Sequence, residues 1–517
     1  MPGWCILFSN SSNGWWGMNG YRECASDFCY SPFDYLVEDA KLGRQRLSRK
    51  AKSRASGSGR PDGHSPINKL PREVLAEIFV QCVPEVELWP RITGTPTSKH
   101  VAPLLLCNVC SSWRAFAYSI PGLWQTLFFR LTNVSQATRE DEVNALIHKW
   151  MKRSGALPLT LRVEACFISG DPGGFQAMAT ALLFALSHYS SRWEYVDLCF
   201  RACPPIIYPQ LGYMPCLRRL CVMAKDSDTA QIPLSCPQLS RISWPFLCTP
   251  SPTPSLPWHQ LTHIDFGAAM SSLEVLLIIR SCPKLTDIRI ALNDGLDGTF
   301  PSNIGVVNNN LQKLELIVHR TCGPLLERLT LPALTDICID FYRDTDVPLR
   351  DVHEELLGFF NRSKCKLDRL GLIDCSFGDA ALLKCLEHHA CASITELGIL
   401  NLYHTPILTD TVLFALADSR LGKDDLLLPN LAHLTLQMCF DGSPGILGMM
   451  IMSRCMMWVK EDQLQSVDLR FVKLDKQDLD YIQLAAMQGL KVVLPRPVPV
   501  FTYQGPGESL DHENENS

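Results

Sequence analysis

Residues 261–266 read LTHIDF, and residues 285–290 read LTDIRI. Both follow one pattern, apolar-x-x-apolar-x-apolar. The last four positions alternate polar and apolar with the two-residue period of a strand. The same pattern returns as WEYVDL at Trp193, LRRLCV at Leu217, LSRISW at Leu239, LQKLEL at Leu311 and LTDICI at Leu334. It continues as LDRLGL at Leu367, ITELGI at Ile394, LAHLTL at Leu431 and LQSVDL at Leu464. Successive starts lie 22 to 37 residues apart. Helix-like stretches separate them, among them AMATALLFALSHY, ALLKCLEHHA and GILGMMIMSRCMMW. A strand with a return helix, repeated, builds a parallel sheet backed by helices. The expected fold class is therefore α/β, with the array over 155–495 and LPLTLRV at Leu157 as its opening strand.

Composition fits such an array. The chain has 517 residues, 46% hydrophobic and 20% charged, too many for one ordinary core. Its formal net charge is -5, which argues against a dedicated nucleic-acid surface. The start, MPGWCILFSNSSNGWWG, lacks the basic region of a signal peptide, and no apolar run is long enough to cross a bilayer. The expected compartment is the cytoplasm or nucleus, with no membrane partner. Residues 1–60 are expected to be disordered. Within them, 41–60 hold eight Lys or Arg and no acid, readable as a solvated linker or as an import or anion-binding patch. Residues 496–517 read as a disordered acidic tail.

Before the array, over 63–130, stands a short helical module. Pro71 suits a first helical position, and Glu73 suits the first turn. Leu70, Val74 and Ile78 recur at four-residue spacing, with Leu75, Phe79 and Cys82 as a neighbouring row. Pro84 ends that helix. A second helical stretch, VAPLLLCNVCSSWRAFAYSIPGLWQTLFF from Val101, breaks near Ile120-Pro121-Gly122. A connecting helix is expected over 131–154. The module has more large apolar side chains than so small a bundle can bury, and such a surplus normally meets a partner.

These residues resemble an F-box, the adaptor-docking motif of SCF ubiquitin ligases, in the F-box-like form abundant in mushroom-forming fungi. The matching positions are Pro66-Ile67, Leu70 to Leu75, Ile78-Phe79, Val109 to Arg114 and Ile120 to Trp124. The loop from Pro84 to His100 is longer than in the minimal motif, and the preceding heptad helix is missing; neither departure touches the docking positions. The resemblance implies adaptor contacts from Leu70, Pro71, Val74, Leu75, Ile78 and Phe79 on one helix, and from Val109, Cys110, Trp113, Ile120 and Trp124 on the other. It implies the SCF adaptor and cullin as partners, with a protein target of unknown identity. The array in turn resembles leucine-rich repeats of a degenerate kind, which form a solenoid. The consensus residue after the strand survives only at Asn293, Cys375 and Cys439.

In that geometry one face of the strands shows Cys221, Ser243, Asp265, Arg289, Glu315, Cys338, Gly371, Gly398, Thr435 and Asp468. Parallel strands lie about 4.8 Å apart. Asp265, Arg289 and Glu315 could thus form one charge ladder, and Asp287, Lys313 and Asp336 a second, with His263 beside it. Either ladder is a recognition patch for a charged target segment or a self-neutralising solvated face. Gly371 and Gly398 would leave a shallow gap. Several of the 22 cysteines fall at repeat phases: Cys216, Cys236 and Cys282 before strands, Cys375 and Cys439 after them. Those places want a small buried side chain, so the thiols are expected to be buried and unpaired.

No catalytic or cofactor motif stands out. CNVC at Cys107 is a lone pair inside the helical module, and zinc is not expected there. HHAC at His388 reads as a helix end, and the methionines from Met449 to Met457 as packing. There is no phosphate-cradling glycine loop, G-x-S-x-G or H-E-x-x-H. What the resemblance implies is a non-catalytic target-binding subunit of a ubiquitin ligase, and no cofactor or metal is expected. The alternative is a leucine-rich-repeat scaffold with no ligase role.

Overall fold

The computed structural model describes residues 67, 70–83, 101–132, 140–166, 171–201, 212–224, 235–244, 256–293, 305–341, 352–401, 408–417, 426–456, 463–469, 472 and 474–494. The readings for 1–60, Pro66, the loop 84–100, Met457 and 496–517 lie outside the described residues. The fold is α/β with a large parallel sheet, and the chain divides into two compact units, 1–217 with 221–236 and 218–220 with 237–517.

The first unit begins with helices α1 (Arg72–Gln81), α2 (Leu104–Val109) and α3 (Ser111–Tyr118). Pro71 precedes α1 with φ -52, where its missing N–H costs nothing. A short 3-10 turn, Pro121–Trp124, ends the helical part. The next residues depart from expectation. Thr126–Thr132 is strand β1, not a continuation of the helix, and it pairs in parallel with β2 (Leu159–Cys166). The stretch TLFFRLT alternates and is rich in aromatic and β-branched residues, so it suits a pleated strand better than a helix. The parallel array thus starts before 155. Helix α4 (Glu140–Arg153) connects β1 to β2, α5 (Pro172–Ser187) follows β2, and β3 (Trp193–Arg201) pairs with β2. The point of division falls in β4 (Arg219–Ala224).

In the second unit the strands follow one another in chain order. They are β5 (Arg241–Trp244), β6 (His263–Met270), β7 (Asp287–Leu292), β9 (Lys313–Val318), β11 (Asp336–Phe341), β12 (Arg369–Ile373), β13 (Glu396–Leu400), β14 (His433–Gln437), β15 (Ser466–Asp468) and β16 (Lys491–Val493). Each pairs in parallel with the next. Two short strands, β8 (Val306–Val307) and β10 (Leu329–Thr330), form a separate parallel pair. All eleven motif stretches are strands.

The motif's first leucine explains the regularity. Leu239, Leu261, Leu285, Leu311, Leu334, Leu367, Ile394 and Leu431 are all fully buried. Each lies two residues ahead of its strand and fixes the turn into it. One residue later, a carbonyl joins each repeat to the next. Thr262 accepts from the amides of Thr286 (2.8 Å) and Asp287 (3.1 Å), and Thr286 accepts from Gln312 (2.8 Å) and Lys313 (2.9 Å). Gln312 likewise accepts from Thr335 and Asp336, both at 2.9 Å.

Right-handed crossovers between neighbouring in-order strands put their helices on one sheet face. In β7 and β9 that face holds Ile288, Ile290, Leu292, Leu314, Leu316 and Val318, all buried. The other face departs from the expected exposed series. Ser243, Asp265, Arg289, Glu315 and Asp468 are half-buried, whereas Cys221, Cys338, Gly371, Gly398 and Thr435 are buried. Short side chains at a 4.8 Å strand spacing do not rise past longer neighbours. Gly371 and Gly398, in register on β12 and β13, are both buried. Cys236, Cys282, Cys375 and Cys439 are buried as expected, while Cys216 is only half-buried.

Candidate functional site

Two surfaces stand out, one on the helical module and one on the polar sheet face. Leu70 and Pro71 just ahead of α1, and Val74 and Ile78 on it, are exposed, and Leu75 is half-buried. Val74 is 45% exposed although it lies mid-helix. On α2, Leu105 and Val109 are exposed one turn apart, Val109 at 56%. Each helix thus offers an apolar row to solvent. The neighbouring row of α1 supplies Phe79 to the module's core. Phe79 is 1% exposed, with its ring 4.8 Å from Trp113 and 5.6 Å from Phe116.

Trp124 is fully buried, donates Nε1 to the Ala117 carbonyl oxygen at 2.9 Å and packs edge-on against Trp150 at 4.8 Å. The Arg153 guanidinium lies over both Tyr118 (3.8 Å) and Trp124 (4.5 Å). Phe79 and Trp124 were expected among the adaptor contacts. Their burial corrects this: they are core residues that hold the exposed rows in place.

Cys110 is the N-cap of α3 and accepts from the Trp113 amide at 3.4 Å. Its Sγ also lies 3.0 Å from Ser112 Oγ. That hydrogen bond, ahead of the bond from Trp113, holds the thiol below its ordinary range. Cys107 is buried, and burial raises its thiol. The two cysteines of CNVC thus do different things. Among the described residues, no group of three or more His, Cys, Asp or Glu is placed to hold a metal ion. Trp113 and Ile120 are half-buried.

On the polar face the first ladder forms. Asp265, Arg289 and Glu315 sit opposite one another on β6, β7 and β9. Arg289 Nη1 lies 3.2 Å from Asp265 Oδ1, and its Nε lies 2.7 Å from Glu315 Oε1. Ser243 Oγ donates to Asp265 Oδ2 at 2.7 Å. Asp287, Lys313 and Asp336 are also in register. Asp287 Oδ2 lies 3.2 Å from His263 Nε2, and Asp336 Oδ1 lies 3.4 Å from Arg369 Nε. Burial, ahead of the cations Arg241, Arg219 and Lys313, lowers the His263 pKa against the pull of Asp287. Arg369 also reaches Glu396 at 3.3 Å.

The first unit carries a similar network, which the sequence reading missed. Glu164 on β2 takes Arg130 at 2.8 Å and Arg162 at 2.7 Å, and Arg162 lies 3.5 Å from Asp197. Both guanidiniums stand over the Phe128 ring, at 5.4 and 5.6 Å. The signal lay in residues 126–132, which read as helix and so had no strand register.

The sequence matches no family model and no curated protein. Among the described residues, no helix is long and apolar enough to cross a membrane.

Proposed function

We propose that this chain is the target-binding subunit of an SCF-type ubiquitin ligase. The module at 63–130 is an F-box-like domain that docks the adaptor, and through it the cullin. The array is a degenerate leucine-rich-repeat solenoid that holds a protein target. The bond-forming chemistry belongs to the other ligase subunits, and this chain contributes proximity and orientation. The target meets the polar face at Asp265, Arg289 and Glu315 and at Asp287, Lys313 and Asp336. Buried free thiols suit a reducing compartment, cytoplasm or nucleus.

The observation that carries this reading is the two sets of exposed apolar residues, Leu70 just ahead of α1 with Val74 and Ile78 on it, and Leu105 and Val109 on α2. Scattered exposed leucines are ordinary, but apolar residues held out to solvent at helical spacing on short helices are suited to a partner. The test is co-purification of adaptor and cullin with wild-type chain and with a Val74→Asp, Ile78→Asp variant. Both substitutions fall on exposed positions, so the fold survives. Adaptor is recovered with wild type and lost with the variant. Equal recovery with both sinks the ligase reading and leaves a repeat scaffold without ligase role.

A further inference from the structure

The residues that open each strand form a row across the polar face. From β6 onward the row runs His263, Asp287, Lys313, Asp336, Arg369 and Glu396. Acids and bases alternate there. Asp287 meets His263, and Asp336 and Glu396 meet Arg369. The row starts differently. Arg241 stands opposite His263, and Arg219 comes before it on β4. The Arg218 carbonyl oxygen accepts from the amides of Ser240 and Arg241, both at 3.0 Å. Thr262 joins β6 to β7 by the same pair of bonds, with His263 beside Asp287. Arg219 therefore lies beside Arg241, about 4.8 Å away across the sheet. Arg219, Arg241 and His263 all belong to the second unit.

Arg219 and Arg241 are exposed, and among the described residues neither forms an ion pair. The acids next along the face are already engaged, Asp265 by Arg289 and Ser243, and Asp287 by His263. Both guanidinium charges are felt at the His263 ring, where, behind burial, they lower its pKa against Asp287. Like charges side by side on neighbouring strands repel. An anion brought by a partner relieves that repulsion and is steered to the spot.

The size of the patch selects the partner. A nucleic-acid backbone calls for a long basic stripe, and a chain of net charge -5 repels one. Here the basic row covers only β4, β5 and β6 before it meets Asp287. An extended peptide repeats its side chains on one side every ~6.6 Å. Arginine stems are long enough to span the difference from the strand spacing.

We propose that Arg219 and Arg241 bind a pair of carboxylates on an acidic peptide segment of a partner protein, which crosses the first residues of β4 and β5. The inference rests on the array holding a protein, but not on adaptor docking. Binding of a probe to the purified chain and co-purification of the adaptor fail independently.

The probe is a fluorescein-labelled hexaglutamate peptide, and its anisotropy with the full chain is the measurement. Wild type should bind at about 50 mM salt, and about 0.5 M salt should weaken binding about tenfold. Arg219→Glu with Arg241→Glu should weaken it by about tenfold or more. Arg219→Lys with Arg241→Lys keeps the charge and should stay within about threefold of wild type. A control pair reverses as much charge on helices, Arg280→Glu on α6 (Ser272–Ser281) and Lys384→Glu on α9 (Asp379–Glu387), and should bind like wild type. Circular dichroism checks the fold of each variant. Absent binding to wild type overturns the proposal, as does binding that the Arg219 and Arg241 reversal leaves unchanged. Equal weakening by the control pair overturns it too, because net charge alone then drives binding. Full displacement of the probe by inorganic phosphate at constant ionic strength also does so, because the site is then one for a phosphate group.

Discussion

Arg454 donates Nη1 to the carbonyl oxygen of Leu428 at 2.8 Å, from a position 1% exposed. Its Nε reaches the Leu416 carbonyl at 2.6 Å, and Nη2 reaches that of Leu427. Leu416 lies in the last turn of helix α10 (Asp410–Ala417), and Leu427 and Leu428 lead into the motif at Leu431. One guanidinium on α11 (Ile446–Cys455) therefore ties down the end of one helix and the entry to the next strand.

Arg454→Met should cost about 3 kcal/mol. The change leaves three carbonyl oxygens short of a donor, and bonds from a charged donor contribute about 1.5–3 kcal/mol each. Part is recovered because burial disfavours the charge and lowers the Arg454 pKa to about 10. Arg454→Lys keeps the charge but not the fork, so it should fall between wild type and Met. Urea midpoints of the three proteins check the order. A methionine variant as stable as wild type removes the clamp from the account.

The buried thiols predict a loss of stability in alkali. Burial pushes Cys236, Cys365 and Cys455 up to about 11, and Cys282 and Cys439 up to about 12, from an ordinary 9.0. Below pH 9 the thiol is protonated in both folded and unfolded chains, and the contribution is complete. Above pH 9 the unfolded chain releases its protons first, so stability falls until the folded thiols also ionise. Each thiol contributes a slope of about 1.4 kcal/mol per pH unit within its window. Urea midpoints at pH 8, 9 and 10 should drop mainly over the last step. A Cys282→Ala, Cys439→Ala variant should show a shallower drop, and equal slopes would contradict the linkage.

The two rows of α1 should separate in mutational tests. Phe79→Ala empties a site packed by Trp113 and Phe116 and should cost about 3–5 kcal/mol. Val74→Asp lies on the exposed row and should change stability by about 0.5 kcal/mol or less. Thermal unfolding of each single variant is the measurement. A large loss for Val74→Asp would place that row inside the fold.

The sequence made the strands legible because one residue does two jobs. The motif's first apolar residue marks the repeat in sequence and fills its core in space, and all eleven stretches are strands. Strand β1 escaped although WQTLFF at Trp124 fits the same pattern, because it directly follows a helical stretch and reads as that stretch's last part. On α1, periodicity revealed two apolar rows but not which faced inward. Only the positions of Trp113 and Phe116 decide that Phe79 is core and Val74 surface. On the polar face, strand register placed Asp265, Arg289 and Glu315 together, and their side chains are long enough to meet. Side-chain length also decided the burial of Cys338, Gly371 and Gly398, which register alone does not encode.

Arg289 is the residue on which the ladder turns. Its side chain is only 14% exposed, between Asp265 and Glu315 at 24% and 16%. Half-burial weakens solvent screening, so the pairs contribute more than exposed ones, for which about 0–1 kcal/mol is usual. Arg289→Met keeps the aliphatic stem and removes the charge. It leaves two carboxylates on strands two apart, separated by about 9.6 Å of sheet. At an effective dielectric of about 20 their repulsion is about 1.7 kcal/mol. Adding the lost hydrogen bonds, the expected cost is about 1–3 kcal/mol at low salt. Raising the salt to about 1 M shortens the screening length to about 3 Å, and the gap between wild type and variant should narrow. Urea unfolding at both salt levels measures this. A gap independent of salt assigns the cost to packing alone, and no gap at all makes the ladder a solvated, self-neutralising row.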